Sequence, residues 1–368
     1  MAPARAGAAD LHPRIGGLDI ARALAIVGMV LVNFELAMGA ERSGPPWLRT
    51  LAALFHGRSA ALFVILAGIG ASLGARRARG SPDPVLRRQA RATLARRALF
   101  LFVIGWAFFA LWPADILHYY GVYLAIGSLV VFTPSRRLLA LAAGALAVSL
   151  VFIVGFDPLA RWNLADYSYR GLLTPVGFVR NLLLDGFHPV FPWVAFYLFG
   201  LWLGRTDLQD PRWRRTLTLA AATAVAVAET LAWIVVGPKG ATRADLSSDS
   251  WRWLFSVEPL PPLPMYVLAG AATATLVLCG AIWLGAHLPR CVRTPLESTG
   301  QLALTIYLAH VLVGMATLDA LGRLEDQSLT WAVLTSLAFS VLAIAGAWAW
   351  RRRFARGPVE ALLRRVAG

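Results

Sequence analysis

Apolar stretches long enough to cross a membrane recur along the whole chain, and they constrain its fold more than any other feature. A transmembrane α-helix needs about 20 mostly apolar residues. Ten segments meet this requirement, so the sequence predicts an all-α, polytopic transmembrane bundle that forms a single domain, 1–368. The predicted spans are 18–39, 58–75, 97–113, 115–132, 137–156, 188–204, 214–236, 264–287, 299–319 and 329–350.

Arginine clusters occupy every second loop between these segments. Cytoplasmic loops of membrane proteins carry an excess of Lys and Arg. The clusters follow the second, fourth, sixth, eighth and tenth predicted spans, which requires an even number of spans and predicts both chain ends in the cytoplasm. They contain Arg76, Arg77, Arg79, Arg87, Arg88, Arg91 and Arg96; Arg136 and Arg137; Arg205, Arg212, Arg214 and Arg215; Arg290 and Arg293; and Arg351, Arg352, Arg353, Arg356, Arg364 and Arg365.

The overall charge fits a membrane protein better than a nucleic-acid-binding one. The net charge is +15, yet only 15% of the residues are charged and 58% are hydrophobic, whereas soluble domains carry about a quarter charged residues. Because most of the arginines lie in clusters between the apolar segments, we expect them to face anionic lipid headgroups, and we predict membrane lipids as partners and no nucleic acid. The two cysteines, Cys279 and Cys291, predict no disulfide framework.

Two ionisable residues lie at the cytoplasmic start of the first span. Asp19 and Arg22 are three residues apart, which places them on one face of a helix. They form either a local ion pair that anchors the helix or a polar floor that contacts an anionic cofactor. Both interpretations remain open at this stage.

Polar residues also gather at the predicted outer ends of several spans, where ionisable groups are costly and therefore candidates for function. Asp115 and His118 are three residues apart, so that one can orient the other. Three histidines and two aspartates share this side, which suits general acid–base chemistry. No HxxxH or HExxH spacing occurs, and we predict no metal. The outer residues are Asn33, Glu35, His56, Arg58, Asp115, His118, Tyr119, Tyr120, Asp185, His188 and Trp193.

One histidine lies inside a predicted span. His310 follows Thr305 and Tyr307 in an otherwise apolar helix, and a buried imidazole needs a polar partner. These three residues either line a polar track into the bundle or make hydrogen bonds between helices.

Glycines recur in two of the spans without a phosphate-binding context. Gly68 and Gly70 lie in the second span, and Gly200 and Gly204 lie in the sixth. A phosphate-binding loop would need a strand–loop–helix setting. These glycines therefore predict close packing between helices.

Six sequence segments, taken in order, resemble the heparan-α-glucosaminide N-acetyltransferase-like membrane proteins and the related bacterial DUF418 family. No single segment is specific, but their order along nearly the whole chain is. The segments are Arg14–Arg22 with Gly28–Asn33; His56–Phe63 with Ala67–Gly68; Asp115–Val122; Gly186–Pro189 with Trp193; Gly200–Arg205; and Thr299–His310.

This resemblance implies a transmembrane acyltransferase that takes an acetyl or other acyl group from acyl-CoA in the cytoplasm. Asn33 matches the family's asparagine, and His56 is the nearest equivalent of its histidine. The segment between them lacks the family's His-Ala-x-Trp stretch, which leaves His118 and His188 as rivals. In this hypothesis Asn33 orients His56, and Asp115 with His118 forms a second acid–base pair. The residues assigned to substrate are Arg58, Tyr119, Asp185, Trp193, Tyr307 and His310, and those assigned to acyl-CoA are Asp19, Arg22, Arg77, Arg96 and Arg205.

The acceptor under this hypothesis is an extracytoplasmic glycan, lipid or amine. The alternative from a different class is a proton-coupled transporter, in which the outer His/Asp cluster and His310 form a proton path; a third is an envelope scaffold with no chemistry. Because Lys239 is the only lysine beside many arginines, we expect a GC-rich bacterium and its plasma membrane. Homodimer formation is left open.

Overall fold

The computed structural model describes residues 15–41, 43–163, 167–237 and 251–368, so Arg14 of the first matched segment lies outside the described residues. Sixteen α-helices form within these ranges, as expected of an all-α bundle. They are α1 Gly16–Ala37, α2 Pro46–Ala53, α3 Arg58–Gly74, α4 Arg76–Arg79, α5 Pro84–Phe109, α6 Leu117–Val130, α7 Ser135–Gly155, α8 Pro175–Arg180, α9 Val190–Leu203, α10 Pro211–Val235, α11 Pro264–His287, α12 Arg290–Gln301, α13 Ala303–Ala309, α14 Ala316–Ala320, α15 Leu329–Arg351 and α16 Pro358–Ala367.

Short irregular elements complete the described chain. Two π-helical segments, Asn181–Asp185 and His310–Met315, follow α8 and α13, and a 3-10 turn covers Trp251–Phe255. Strands β1, Trp162–Asn163, and β2, Ser168–Tyr169, form one antiparallel ladder between α7 and α8.

The polytopic membrane fold predicted from the sequence is confirmed. Eight helical segments in the described part of the chain are long and apolar enough to cross a membrane, and nine if the bent pair Pro175–Asp185 and Val190–Leu203 counts as one span. The remaining predicted segment, 115–132, forms α6, which is apolar but only 14 residues long. Which side of the bilayer each end faces stays a prediction.

Helix starts follow local capping chemistry rather than hydropathy alone. The Asp83 side chain accepts a hydrogen bond from the Val85 N–H at 2.8 Å, and Pro84 occupies the first helical position. Such a cap satisfies a backbone donor that the first turn leaves free. Helix α5 therefore starts 13 residues before the predicted span 97–113. Asp210 caps α10 in the same way.

The predicted span 299–319 corresponds to the candidate span Ala303–Ala320, but its predicted start is wrong, because the chain breaks at Leu302. Leu302 leaves the helical region (φ −107°, ψ 19°) between α12 and α13, and the π-helical segment starts at His310. Gly300 allows this part of the chain to press against α1, since a Cβ on it would lie 1.8 Å from the Asp19 carbonyl oxygen.

Helix α1 lies at the centre of the bundle. It packs against α3, α11, α12 and α15, and it is the most buried of the candidate spans, whereas α10 is the least buried. An exposed apolar helix face is what lipid contact requires. The pairs α3–α9, α5–α6 and α10–α11 build the surrounding layer.

The contacts define two ends of the bundle. Arg205, which follows α9, donates hydrogen bonds to the carbonyls of Thr133 at 2.6 Å and Val131 at 2.9 Å. Gln301 of α12 reaches Asp19 of α1 at 3.3 Å. We call the end of the bundle that contains Arg205, Gln301 and Asp19 the arginine end. The C-terminal part of α1 and the turn that holds His56 lie at the other end, which we call the histidine end.

Candidate functional site

A cavity of about 190 Å³ lies at the histidine end. Its walls come from α1, the turn between α2 and α3, the segment that precedes α9, and α13. Aromatic rings supply much of the surface, and a small number of polar groups point to specific recognition. The residues relevant to chemistry are Asn33, Glu35, Glu41, His56, Tyr167, His188, Trp193 and Tyr307.

His56 and Glu35 form a hydrogen-bonded pair in the wall of this cavity. The distance between His56 Nε2 and Glu35 Oε2 is 2.8 Å, and the Glu35 side chain is only 2% exposed. With Nε2–H donating to the carboxylate, Nδ1 carries the lone pair, and it has no hydrogen-bond partner among the described residues. Such an arrangement prepares an imidazole to accept a proton.

The residue after His56, Gly57, packs closely against Pro259 and Tyr266. Gly57 has φ +65°, a conformation that side chains other than glycine adopt at a cost. A Cβ at Gly57 would also lie 2.6 Å from Pro259. The Tyr266 hydroxyl donates to the Gly57 carbonyl at 3.0 Å. These contacts fix the direction in which His56 leaves the backbone.

The predicted pairing of Asn33 with His56 is wrong. Asn33 donates instead from Nδ2 to His310 Nε2 at 2.9 Å, while Glu35 takes the place beside His56. Residues two apart on a helix do not face the same direction, so only one of the two side chains reaches the turn that carries His56. His310 also donates from Nδ1 to the Tyr307 carbonyl; His310 is fully buried.

Asp115 and His118 interact as predicted, but His118 is not among the residues that line the cavity. The His118 Nδ1 lies 3.1 Å from Asp115 Oδ2, and both side chains are buried. The His118 ring packs against Tyr119 and the edges of Trp106 and Phe109. Of the three outer imidazoles predicted to share one site, His56 and His188 line the cavity and His118 lies outside its wall.

His188 and Trp193 form another part of the wall. Their rings meet edge to face, with centroids 4.6 Å apart. The Tyr123 hydroxyl donates to the His188 carbonyl at 2.5 Å. Among the described residues, His188 Nδ1 and Trp193 Nε1 have no hydrogen-bond partner although both atoms are buried. Two unsatisfied polar atoms in a cavity wall are available to a substrate or to water.

Tyr119 and Asp185 stabilise the structure around the cavity. The Tyr119 hydroxyl donates to Asn181 at 2.9 Å. Asp185 accepts from the Tyr169 hydroxyl at 2.7 Å and from Arg180 at 2.7 Å and 3.0 Å. Burial, followed by the hydrogen bond to Asp185, raises the pKa of Tyr169, so its hydroxyl stays a donor at neutral pH. Neither Tyr119 nor Asp185 is among the residues that line the cavity.

Arg58, predicted to bind substrate, is engaged between helices. Its guanidinium forms an ion pair with Glu229 of α10 and donates to Thr273 of α11 at 2.8 Å. The Arg58 side chain is 10% exposed. A carboxylate at membrane depth requires such a partner. In this arrangement Arg58 joins three helices next to His56.

The residues predicted to hold acyl-CoA divide into three groups. Arg22 forms an ion pair with Asp19 at 2.6 Å while about a quarter of its side chain remains exposed. Arg77 and Arg96 are exposed. Arg205 is committed to backbone carbonyls, and burial followed by the charge of Arg79 lowers its pKa to about 10, which still leaves it charged at neutral pH. Of these four arginines, Arg22 is the one that pairs with a carboxylate in the described structure while part of its side chain stays exposed.

Three features of the site were not anticipated from the sequence. The role of Glu35 as the partner of His56 is the first. The second is a hydrogen bond from the Tyr167 hydroxyl to Glu41 at 2.6 Å, made by two residues that line the cavity. The third is Glu229, whose position inside an apolar span was the available signal.

The sequence matches two protein families. Residues 14–239, more than half of the chain, match the catalytic domain of heparan-alpha-glucosaminide N-acetyltransferase. The chain belongs to this family. Residues 201–368 also match DUF418, a family described as a protein of unknown function. No curated protein matches the chain. The resemblance inferred from the six ordered segments is thereby confirmed, and the N-acetyltransferase family match covers Asn33, His56, Asp115 and His188.

Within the described residues, no group of three or more His, Cys, Asp or Glu side chains is arranged to hold a metal ion. The polar groups of the cavity can instead accept protons through His56, accept hydrogen bonds through Glu35 and Glu41, and donate them through Trp193. Family membership and these groups together indicate a membrane acyltransferase.

Proposed function

We propose that this protein transfers an acyl group, with acetyl as the first candidate, from a cytoplasmic acyl-CoA to a glycan, lipid or amine on the other side of the membrane. The observation that carries the proposal is the His56–Glu35 pair, held at 2.8 Å in a cavity whose wall also contains Asn33. The catalytic family match supports the reaction class. We further propose that the membrane is a bacterial plasma membrane.

In this reaction His56 acts as a general base. The acceptor N–H or O–H gives its proton to His56 Nδ1 while its nitrogen or oxygen attacks the thioester carbonyl carbon. The C–S bond breaks, the acyl group stays on the acceptor, and the CoA thiolate takes up the proton from the imidazolium. Glu35 stabilises the imidazolium between these two events, since it accepts from the opposite ring nitrogen. General-base assistance of this kind contributes about 10²- to 10⁴-fold in rate.

An acyl-imidazole route remains the second form of the same proposal. Here His56 Nδ1 attacks the thioester itself, CoA leaves as the thiolate, and the acceptor then takes the acyl group from the imidazole, while the N–H or O–H proton that the acceptor loses neutralises the CoA thiolate. The two forms differ in one observable. Only the acyl-carrier form releases one CoA per protein before any acceptor is added.

The donor has to bridge the two ends of the bundle. Arg22 and Asn33 both lie on α1, and their separation of 11 residues corresponds to about 16 Å along the helix axis. In our proposal Arg22 contacts an anionic part of acyl-CoA at the arginine end, and the pantetheine arm extends along α1 toward His56. Asp19 fixes Arg22 for this contact through their ion pair at 2.6 Å.

The test uses detergent-purified protein, acetyl-CoA and a thiol reagent that reports free CoA. Glucosamine, ethanolamine and glycerol serve as amine and hydroxyl acceptors. We expect acceptor-dependent CoA release that His56→Ala abolishes. His287→Ala is the matched control, because His287 is exposed and bonds only to the Trp283 carbonyl within the described structure.

Two results would contradict the proposal. Equal CoA release by wild type and His56→Ala would remove His56 from the reaction. Movement of a labelled solute across vesicles without acyl-CoA, together with no CoA release for any acceptor, would favour the transporter.

A further inference from the structure

A buried hydrogen-bonded chain connects the turn before α6, α13 with the π-helical segment that follows it, and α1 beside the cavity. Asp115 is fully buried, and its Oδ1 accepts from the Tyr307 hydroxyl at 3.0 Å. The Tyr307 carbonyl accepts from His310 Nδ1, and His310 Nε2 accepts from Asn33 Nδ2 at 2.9 Å. Tyr307 and Asn33 line the cavity. The chain therefore ends in an amide that faces the proposed acceptor.

The bond between His310 and the Tyr307 carbonyl sets the direction of the bond between His310 and Asn33. A backbone carbonyl can only accept, so His310 Nδ1 carries the proton and Nε2 of the neutral ring is an acceptor. Asn33 must then turn its NH₂ group toward His310. Its Oδ1 is left as an acceptor for a group in the cavity.

The segment that carries His310 needs this external support. Helix α13 has only seven residues and follows the break at Leu302, and a π-helical segment starts at His310 itself. Such segments interrupt regular helix hydrogen bonding and occur often at functional sites. Asp115 holds this segment in place through Tyr307, whose hydroxyl also accepts from the Ile116 N–H at 3.2 Å.

We infer that His310 is a positioning residue that fixes the Asn33 amide so that its carbonyl oxygen accepts a hydrogen bond from the incoming acyl acceptor, through an N–H or O–H other than the one whose proton passes to His56, with Tyr307 and Asp115 holding His310 in place. The inference rests on the proposed acyl transfer. It assigns Asn33 to the positioning of the acceptor and not to the oxyanion. Neither residue exchanges protons with the substrate.

The activity test compares Asn33→Ala, His310→Ala and the double variant. If His310 acts only through Asn33, the double variant is no slower than Asn33→Ala alone, because the two positions then report one interaction. We expect His310→Ala to lower kcat about tenfold, the effect of one buried hydrogen bond, while KM for acetyl-CoA changes little. His310→Gln should recover most of this loss, since its side-chain oxygen can accept from Asn33.

Removal of the Tyr307 hydroxyl tests the same chain and leaves the His310 imidazole in place. Tyr307→Phe removes the contact with Asp115 and should lower kcat in the same sense. Tyr197→Phe is the matched control: Tyr197 is equally buried, and its hydroxyl has no hydrogen-bond partner among the described residues. Losses in the double variant that multiply the single losses, or no rescue by His310→Gln, would overturn the inference.

A second measurement separates this inference from the proposed function. The same Asn33 and His310 variants are compared for thermal unfolding in detergent, where a double-variant cycle measures their coupling without any acceptor. Absence of CoA release by the wild type would refute the acyl transfer and with it the inference. If the Asn33 and His310 variants are coupled in thermal unfolding but lower kcat independently of each other, acyl transfer stands and only the positioning role is refuted.

Discussion

Replacement of Glu35 by glutamine tests whether a carboxylate has to stand behind the catalytic imidazole. Glutamine preserves the size of the side chain and one acceptor oxygen, so the change removes mainly the charge. Glu35 is 1% exposed and lies 2.8 Å from His56 Nε2. A buried hydrogen bond to a charged group is worth about 1.5–3 kcal/mol, which corresponds to roughly a 10- to 150-fold lower kcat.

The assay is acceptor-dependent CoA release at saturating acetyl-CoA, so that changes in donor binding do not enter. Glu325→Gln is the control, because Glu325 is an exposed carboxylate. We expect Glu35→Gln to fold normally, keep its KM for acetyl-CoA and lose kcat within the stated range. A kcat for Glu35→Gln equal to that of wild type would show that His56 works without its carboxylate, and the general-base argument would fail.

Three further predictions concern packing, the arginine end and topology. Gly200→Ala should lower the melting temperature strongly, because a Cβ there would lie 2.2 Å from the Ile65 carbonyl oxygen, while Gly144→Ala should not, since nothing lies within 4 Å of its Cβ position. Arg205→Lys should also lower the melting temperature but leave KM for acetyl-CoA unchanged; a raised KM with normal stability would instead make Arg205 a cofactor ligand. The exposed Cys291 should react with a membrane-impermeant maleimide only after cells are permeabilised, and labelling of intact cells would reverse the predicted orientation.

Close helix packing was predictable because its signal is local. Gly68 and Gly200 were expected to let helices approach each other, and α3 and α9 meet at these residues: a Cβ on Gly68 would lie 2.3 Å from the Tyr197 carbonyl oxygen. Gly204 likewise packs against Ile69 and Ser72. Small residues inside apolar spans have few other uses.

Side-chain partners were harder to predict, even where the residues were recognised. Asn33, His56 and His310 were all candidates, but the pairing Asn33–His310 joins positions 277 residues apart. Nothing in the sequence distinguishes Asn33 from Glu35 as the partner of His56, because the choice depends on how α1 is rotated against α3. Arg58 was assigned to substrate for a similar reason, since Glu229 lies 171 residues further along the chain.

The sequence by itself determined that this chain is a multi-pass membrane protein and which residues lie at each end of the bundle. Those properties depend on the free energy of moving each segment from water into lipid and on the placement of arginine along the chain, both of which are additive and local. The tertiary structure decided which polar groups pair, that His118 lies outside the cavity wall, and that the helix breaks at Leu302. These outcomes depend on helix rotation and close contact between distant segments, which hydropathy and spacing do not encode.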